Sequence, residues 1–140
     1  MDPKLNSAPM RAQLLEIIHS LGSEPISRSV RLVSILEEFY TRMSADVMIG
    51  FFFAGKDLKH IANQQARFIL NAAGLIPKFE GKGPATAHLE LPPILPGFFD
   101  RRILILRETL VAHHLPSEIV ESWISFESAF REMIVSSSIH

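Results

Sequence analysis

The chain has 140 residues, of which 47% are hydrophobic, and its formal net charge is −1. This balance gives no bulk electrostatic attraction to nucleic acid or to an anionic membrane surface. No apolar run approaches the ~20 residues of a membrane span, and the absence of cysteine excludes disulfides, thiolate nucleophiles and cysteine-ligated metals. The N-terminal residues lack the basic and apolar regions of a secretory signal, so we expect a soluble cytoplasmic protein with no nucleic-acid or membrane partner.

Amphipathic helix patterns follow one another along the chain without a clear strand pattern, which predicts an all-α fold with a single domain. Residues 1–8 are predicted to be a disordered lead-in, residues 9–135 the domain, and residues 136–140 a flexible tail. The predicted helices begin and end near residues 10 and 21, 27 and 44, 58 and 73, 98 and 113, and 116 and 135.

Two of these helices each place one polar side chain within an apolar stripe. In the second helix, Tyr40 shares a face with Leu36 and Phe39, and in the third helix Gln65 lies in the middle of the stripe. Between them, residues 51–53 form a phenylalanine corner. A buried phenol or amide without a partner costs about 1–3 kcal/mol. Either these two groups satisfy each other and nearby backbone, or they face a cavity that holds something polar.

The segment from residue 75 to residue 96 is rich in proline and glycine, which prevents a long helix there. A long non-helical segment within a compact helical domain is usually functional. This one carries His88 among small and apolar neighbours. Taken alone, such a histidine is more often a structural residue than a ligand. The chain has no Ser/His/Asp arrangement, no phosphate-binding glycine loop and no H-E-x-x-H pair, so any role for His88 depends on the rest of the pattern.

Several short stretches between about residues 30 and 135 together resemble the truncated haemoglobins. The resemblance implies an all-α shortened globin, a two-over-two helical sandwich around haem, in which the proximal helix is reduced to a loop and one turn. The proline-rich segment agrees with that reduction. The stretches are FYTRMSAD at 39–46, the corner before Ala54 and Gly55, HIANQQARF at 60–68, ATAHLEL at 85–91, FFDRR at 98–102 and LPSE at 115–118.

The resemblance also implies roles for individual residues. His88 would be the proximal ligand of the iron of haem b, and it is the metal ligand that the resemblance implies. Tyr40 and Gln65 would occupy the distal side and stabilise the gas ligand. Dioxygen bound to ferrous haem carries partial negative charge, so converging hydrogen-bond donors hold it more tightly. The other cofactor-binding positions are apolar, and they are Phe53, Ile61, Phe68, Phe99 and Ile103.

One position departs from the family pattern. Several branches of the family have an aromatic or apolar residue against the haem where this chain has Arg102, and an unpaired guanidinium there would be costly. Either a one-residue shift turns Ile103 into the pocket, or Arg102 reaches a haem propionate. The stripe formed by Phe99, Ile103, Leu106 and Leu110 favours the first alternative, and we expect it.

The function implied by the resemblance is binding of oxygen, nitric oxide or carbon monoxide by a monomer or homodimer. Reversible oxygen binding or sensing and nitric-oxide dioxygenation both stay open. Dioxygenation would need an external reductase, because the chain has no flavin or nicotinamide motif. The alternative is a globin-fold binding or signalling module without haem. The combination of Tyr40, Gln65 and His88 favours the haem protein, because a haemless module has no need of this set.

Overall fold

The computed structural model describes residues 8–77 and 94–139. No strand is found in these two ranges, which confirms the predicted all-α class for them, and none of their helices is long and apolar enough to cross a membrane. The predicted lead-in lies outside the described residues except for Ala8. The helices are α1 (Ala8–His19), α2 (Pro25–Ser44), a 3₁₀ helix (Gly50–Phe53), α3 (Leu58–Ala72), α4 (Pro96–Ala112), α5 (Ser117–Ser128) and α6 (Arg131–Ile139).

Several helix boundaries differ from those predicted. Helix α2 begins at Pro25, because proline is favourable in the first helical turn and the Glu24 amide donates a 3.2 Å hydrogen bond to the Ser27 hydroxyl. The last predicted helix is two helices, α5 and α6, separated by a turn at Ala129 and Phe130. The turn places the Phe130 ring 5.9 Å from that of Phe68 on α3. Helix α6 then continues into the predicted tail, as far as Ile139.

Both ends of α3 have capping interactions. The Asp57 carboxylate accepts the His60 amide at 3.1 Å, which satisfies one of the free N–H groups at the start of the helix. At the other end, Gly74 has a φ of 80°, and the Leu75 amide donates to the Leu70 carbonyl at 2.9 Å. Glycine suits this left-handed position because it has no Cβ. Both ends of α3 are therefore fixed by hydrogen bonds, so the same side of the helix faces the protein interior along its length.

The helices pack so that α2 contacts both α3 and α4, while α4 also contacts α5. Helix α1 packs against α5, where the Gln13 side chain donates to the Ser122 carbonyl at 3.0 Å. Burial of a large apolar side chain contributes roughly 1.5–3 kcal/mol, so the central residues dominate the stability of this arrangement. The largest fully buried side chains include Trp123, Phe39, Phe99, Phe126, Leu14, Ile17, Leu32, Ile35 and Met43.

The corner between α2 and α3 is anchored to α4 by Asp46. One oxygen of its carboxylate accepts the amides of Met48 and Ile49 at 2.9 and 3.1 Å. The other accepts two hydrogen bonds from Arg101, at 2.9 and 2.7 Å. The corner also passes close to the end of α2, because a Cβ on Gly50 would lie 2.6 Å from the Ser44 carbonyl oxygen. These contacts fix the backbone of the corner, and with it the positions of the phenylalanine rings at residues 51–53.

The Asp46 anchor makes stability depend on pH in the acid range. The hydrogen bond from Arg101 holds the pKa of Asp46 below its usual range. The carboxylate therefore stabilises the fold above about pH 4, and this contribution is lost as the pH falls through the folded-state pKa. We expect Asp46→Asn to lower the free energy of unfolding at neutral pH and to flatten its acid dependence. Urea unfolding at a series of pH values measures both effects.

Asp100 provides the control for this prediction. It forms an ion pair with Arg131 at 3.1 Å, but its side chain is mostly exposed and caps no described backbone group. Asp100→Asn should therefore leave the acid dependence nearly unchanged. Equal effects of the two substitutions would contradict the role given to Asp46.

Candidate functional site

Four polar side chains from four helices meet inside the protein. They are Tyr40 of α2, Gln65 of α3, Arg102 of α4 and Glu127 of α5, and we call them the polar cluster. Tyr40 is 7% exposed, and the Glu127 side chain is 4% exposed. Burial of this many polar groups is costly unless they bind one another. The hydrogen bonds and ion pairs within the cluster therefore decide whether these groups can be buried.

The centre of the cluster is an ion pair between Arg102 and Glu127. Arg102 Nη1 lies 2.8 Å from Glu127 Oε2, and the Arg102 side chain is only 16% exposed. The guanidinium also lies 5.1 Å from the centre of the Phe39 ring, at a distance typical of a cation–π contact. Burial opposes the charge of Arg102, but Glu127 and Tyr40 more than offset it and raise the pKa of Arg102 above its usual value. The guanidinium therefore stays charged.

Tyr40 lies close enough to the same ion pair for both of its charges to act on the phenol. Burial raises the pKa of Tyr40, with Arg102 lowering it and Glu127 raising it by smaller amounts. The phenol is therefore neutral at pH 7 and keeps its hydrogen. Within residues 8–77 and 94–139, no hydrogen bond uses that hydrogen.

Gln65 joins the cluster from α3. Its Nε2 donates to Glu127 Oε1 at 3.4 Å, which is long for a hydrogen bond. Each oxygen of the Glu127 carboxylate thus has a donor, Arg102 on one and Gln65 on the other. The two polar residues found in the helical stripes are not bonded to each other directly. Gln65 bonds to the ion pair, whereas Tyr40 lies close enough for the charges of the pair to act on it.

A cavity of about 50 Å³ lies beside the cluster. Arg102 is its one charged lining residue among those described, and Phe53, whose ring centre is 5.8 Å from that of Tyr40, lies on its wall. A volume of this size admits a diatomic molecule but is far below the roughly 300–1,000 Å³ typical of cofactor sites. A porphyrin would not fit within it. The other lining residues are Met43, Ile49, Phe52, Ile94, Phe98, Phe99 and Ile134.

Helix α3 presents an apolar stripe next to the cluster. Ala62, Ala66 and Ile69 of α3 are buried, whereas the neighbouring stripe is mostly half-buried. Leu58 and Ile61 therefore leave part of their apolar surface accessible. The members of the half-buried stripe are Leu58, Ile61, Gln65 and Ala72, with the more deeply buried Phe68 among them.

The structure brings some of the predicted site residues together and separates others. Phe53 and Phe99 line the same cavity, whereas Phe68 packs against Phe130. Ile61 is half-buried on α3. His88, the predicted iron ligand, lies outside the described residues.

The position of Ile103 in a haem pocket stays a prediction. Arg102 lines the cavity, whereas Ile103 is half-buried and does not line it. The physical reason is that Glu127 supplies the opposite charge, so the guanidinium is not unpaired. Arg102 can therefore turn inward.

Glu127 is the functional candidate that sequence reasoning missed. A signal for it exists, because Glu127 follows Trp123 by four residues and precedes Phe130 by three, on the apolar face of the last predicted helix. Arg102 follows Phe99 by three residues and precedes Leu106 by four on the preceding helix. The pattern thus indicates a charge on the apolar face of each helix, but it does not show that the two side chains meet.

Comparison with known proteins assigns neither a family nor a function to the chain. No protein-family model matches the chain, and no curated protein is significantly similar to it. The described residues also contain no group of three or more His, Asp or Glu side chains that could hold a metal ion.

The ion pair predicts a strong coupling between Arg102 and Glu127. Arg102→Met or Glu127→Leu alone leaves an unpaired buried charge and should lower the free energy of unfolding by about 3–5 kcal/mol. The double variant removes both charges and should be far closer to wild type. Urea unfolding of the four proteins gives the coupling energy as a double-mutant cycle. Additive losses would show that the two side chains do not form a pair in solution.

Proposed function

We propose that the protein is a haem-binding globin of the shortened, two-over-two type that binds a diatomic gas. The observation that supports this proposal most is the convergence of Tyr40 and Gln65, from different helices, on one buried cluster beside Phe53 and Arg102. These are the two positions at which the sequence indicates a polar group directed into an apolar interior. Convergent donors at the edge of an apolar site are the arrangement that a polar gas ligand requires.

Haem, when bound, supplies an iron atom that coordinates oxygen, nitric oxide or carbon monoxide. In this proposal His88 holds the iron, and the apolar residues Phe53, Ile61, Phe68, Phe99 and Ile103 contact the ring. The half-buried stripe on α3 supports the assignment of Ile61 and Phe68. The proposed contacts of Phe53 and Phe99 with the ring are supported by the position of both residues at the cavity wall.

The residues of the cluster then select and retain the ligand. The Tyr40 hydroxyl donates a hydrogen bond, and the neighbouring guanidinium adds positive potential on the same side. Both act at a site with little water, where electrostatic interactions are stronger than in solvent. A ligand that gains partial negative charge is favoured over one that does not. The donors are in place before the ligand arrives, so little reorganisation is needed.

Two functions of the bound gas are consistent with this proposal. Reversible binding or sensing of oxygen needs no further partner. Nitric-oxide dioxygenation would consume electrons that this chain cannot supply itself, and an external reductase would provide them. In both cases we propose a cytoplasmic protein that acts as a monomer or a homodimer.

A second candidate is a globin-fold binding or signalling module without haem. One observation favours it: Gln65 already has a protein partner in Glu127. Its position in the stripe can thus be explained without a ligand. The two candidates differ in whether Tyr40 donates its hydrogen to an external ligand.

Titration with haemin tests the first candidate. The purified protein should take up one haem per chain with a sharp Soret band that shifts when carbon monoxide is added. His88→Ala should lose this band. His60→Ala is the matched control, because His60 is an exposed residue of α3 and its backbone amide, not its ring, makes the capping bond. A spectrum that matches free haemin in the unmodified protein would reject haem binding and favour the second candidate.

Removal of the Tyr40 hydroxyl tests the distal role. Tyr40→Phe should speed oxygen release by about tenfold, because one hydrogen bond of about 1–1.5 kcal/mol is lost. Stopped-flow measurement of oxygen dissociation gives the rate. Thr41→Val is the control, since the Thr41 hydroxyl lies on the exposed side of α2 and donates to the Glu37 carbonyl. Equal rates in Tyr40→Phe and wild type would show that this hydroxyl does not bind the ligand.

A further inference from the structure

We propose that the cavity beside the polar cluster binds the end of an aliphatic chain, while the polar head group of the same molecule stays in water. The class of ligand is a small amphiphile with an unbranched alkyl end. This site uses no iron and goes beyond the binding of a diatomic gas, so it does not depend on the proposed function. It is supported by the size of the cavity, the chemistry of its wall and the exposed apolar surface beside it.

The volume of the cavity sets the size of the group that can enter it. A group as large as a water molecule needs roughly 10–15 Å³ of such a volume. The cavity has about 50 Å³, so it admits the end of a chain with about three or four carbon atoms. Its wall is built from elements far apart in the sequence, since Met43 belongs to α2, Ile49 to the corner and Ile134 to α6.

The wall of the cavity favours an apolar occupant. Arg102 is the one polar side chain among the described lining residues, and Glu127 already accepts a hydrogen bond from its guanidinium at 2.8 Å. A buried water molecule is held well only by about two to four polar partners. This wall offers fewer, so an alkyl group that displaces water from the cavity gains affinity.

The ion pair also determines which end of the ligand enters. Because Arg102 and Glu127 neutralise each other, a carboxylate or phosphate inside the cavity would be a buried charge without a partner. The free energy lost by burying such a charge far exceeds the gain from burying a few methylene groups. The alkyl end therefore enters the cavity, and the head group remains outside.

Exposed apolar side chains continue the wall of the cavity to the protein surface. Phe51 is 53% exposed, and its ring centre lies 4.1 Å from that of Phe52 and 5.8 Å from that of Phe98, both of which line the cavity. Met48 is 43% exposed, and its methyl group would lie 3.8 Å from a Cβ on Gly97, next to Phe98. We call Met48 and Phe51 the apolar rim. Contiguous exposed apolar surface is typical of ligand-binding grooves, and here it covers the part of the chain that leaves the cavity.

The apolar rim is held in place before a ligand binds. The Asp46 carboxylate accepts the amides of Met48 and Ile49 and two hydrogen bonds from Arg101 of α4. A site that is already ordered loses less conformational entropy on binding. The cavity and rim can therefore bind a small molecule without rearrangement of the corner.

Titration with straight-chain alcohols from ethanol to octanol tests the proposal on the purified full-length chain without haem. The affinity should rise about fourfold for each carbon that enters the cavity, because each buried methylene group contributes this gain. Beyond about four carbons the chain lies on the apolar rim. Part of its surface then stays in water, and the gain should fall to about twofold per carbon. An unbroken fourfold increase up to octanol would overturn the proposal, because it indicates partition into a larger apolar phase.

The same titration locates the bound alcohol when it is followed by nuclear magnetic resonance of labelled isoleucine methyl groups. Ile49 and Ile94 line the cavity, whereas Ile35 and Ile119 are buried elsewhere and serve as internal references. Butanol should shift the methyl signals of the first two and leave the references in place. Equal shifts in both sets would contradict a site at the cavity. Shifts of Ile49 and Ile94 that follow the protein concentration but not butanol would also overturn the proposal, since a second copy of the chain would then cover the rim.

Substitution at residue 94 tests whether the cavity itself holds the chain. Ile94→Phe fills space in the cavity and should weaken the binding of butanol by about tenfold. Ile124→Phe is the matched control, because Ile124 is also 8% exposed but does not line the cavity. A similar loss of affinity in both variants would show that the chain is bound elsewhere.

Ile94→Ala keeps the test decisive if the phenylalanine variant does not fold. It removes most of the isoleucine side chain from the wall, so the fall in gain per carbon should move to chains longer by about two carbons. Fluorescence of the single tryptophan, Trp123, verifies that each variant is folded. A fall at the same chain length in folded Ile94→Ala would overturn the proposal. Since no haem is added, this outcome is separate from that of the haemin titration.

Discussion

The ion pair between Arg102 and Glu127 is the interaction on which the rest of the site depends. Two charges taken out of water are tolerated only when each is fully bonded. Glu127 receives donors on both oxygens, and Arg102 lies over the face of Phe39 as well. Because Phe39 belongs to α2 and Gln65 to α3, four helices are tied at one point.

Much of the fold could be predicted from the sequence, because the signals involved are local. The periodicity of the stripes, Asp57 as a cap and Gly74 as a terminator each act within one helix. Tyr40 and Gln65 could be found for the same reason, as polar residues in apolar stripes. The Arg102–Glu127 pair could not, since periodicity shows which side of a helix is inward but not which side chains of two helices meet. The break in the last predicted helix was missed because its apolar stripe continues through it.

The proposed haem binding draws on Tyr40, Gln65 and the half-buried stripe of α3. Gln65 is bonded to Glu127 within the protein, so its place in the stripe does not by itself require haem. Among the described residues, the hydrogen of the Tyr40 hydroxyl has no acceptor. The two proposals differ in whether a gas ligand supplies one. His88, on which iron binding depends, is identified by sequence resemblance and lies outside the described residues.

A crystal structure of the protein grown with haemin and carbon monoxide tests the central claim most directly. The account predicts haem with its iron on His88, the ligand on the side of Tyr40, and the Arg102–Glu127 pair intact. Density for the Tyr40 hydroxyl within hydrogen-bonding distance of the ligand would complete the agreement. A structure without bound haem, or with haem bound away from Tyr40, would contradict the account.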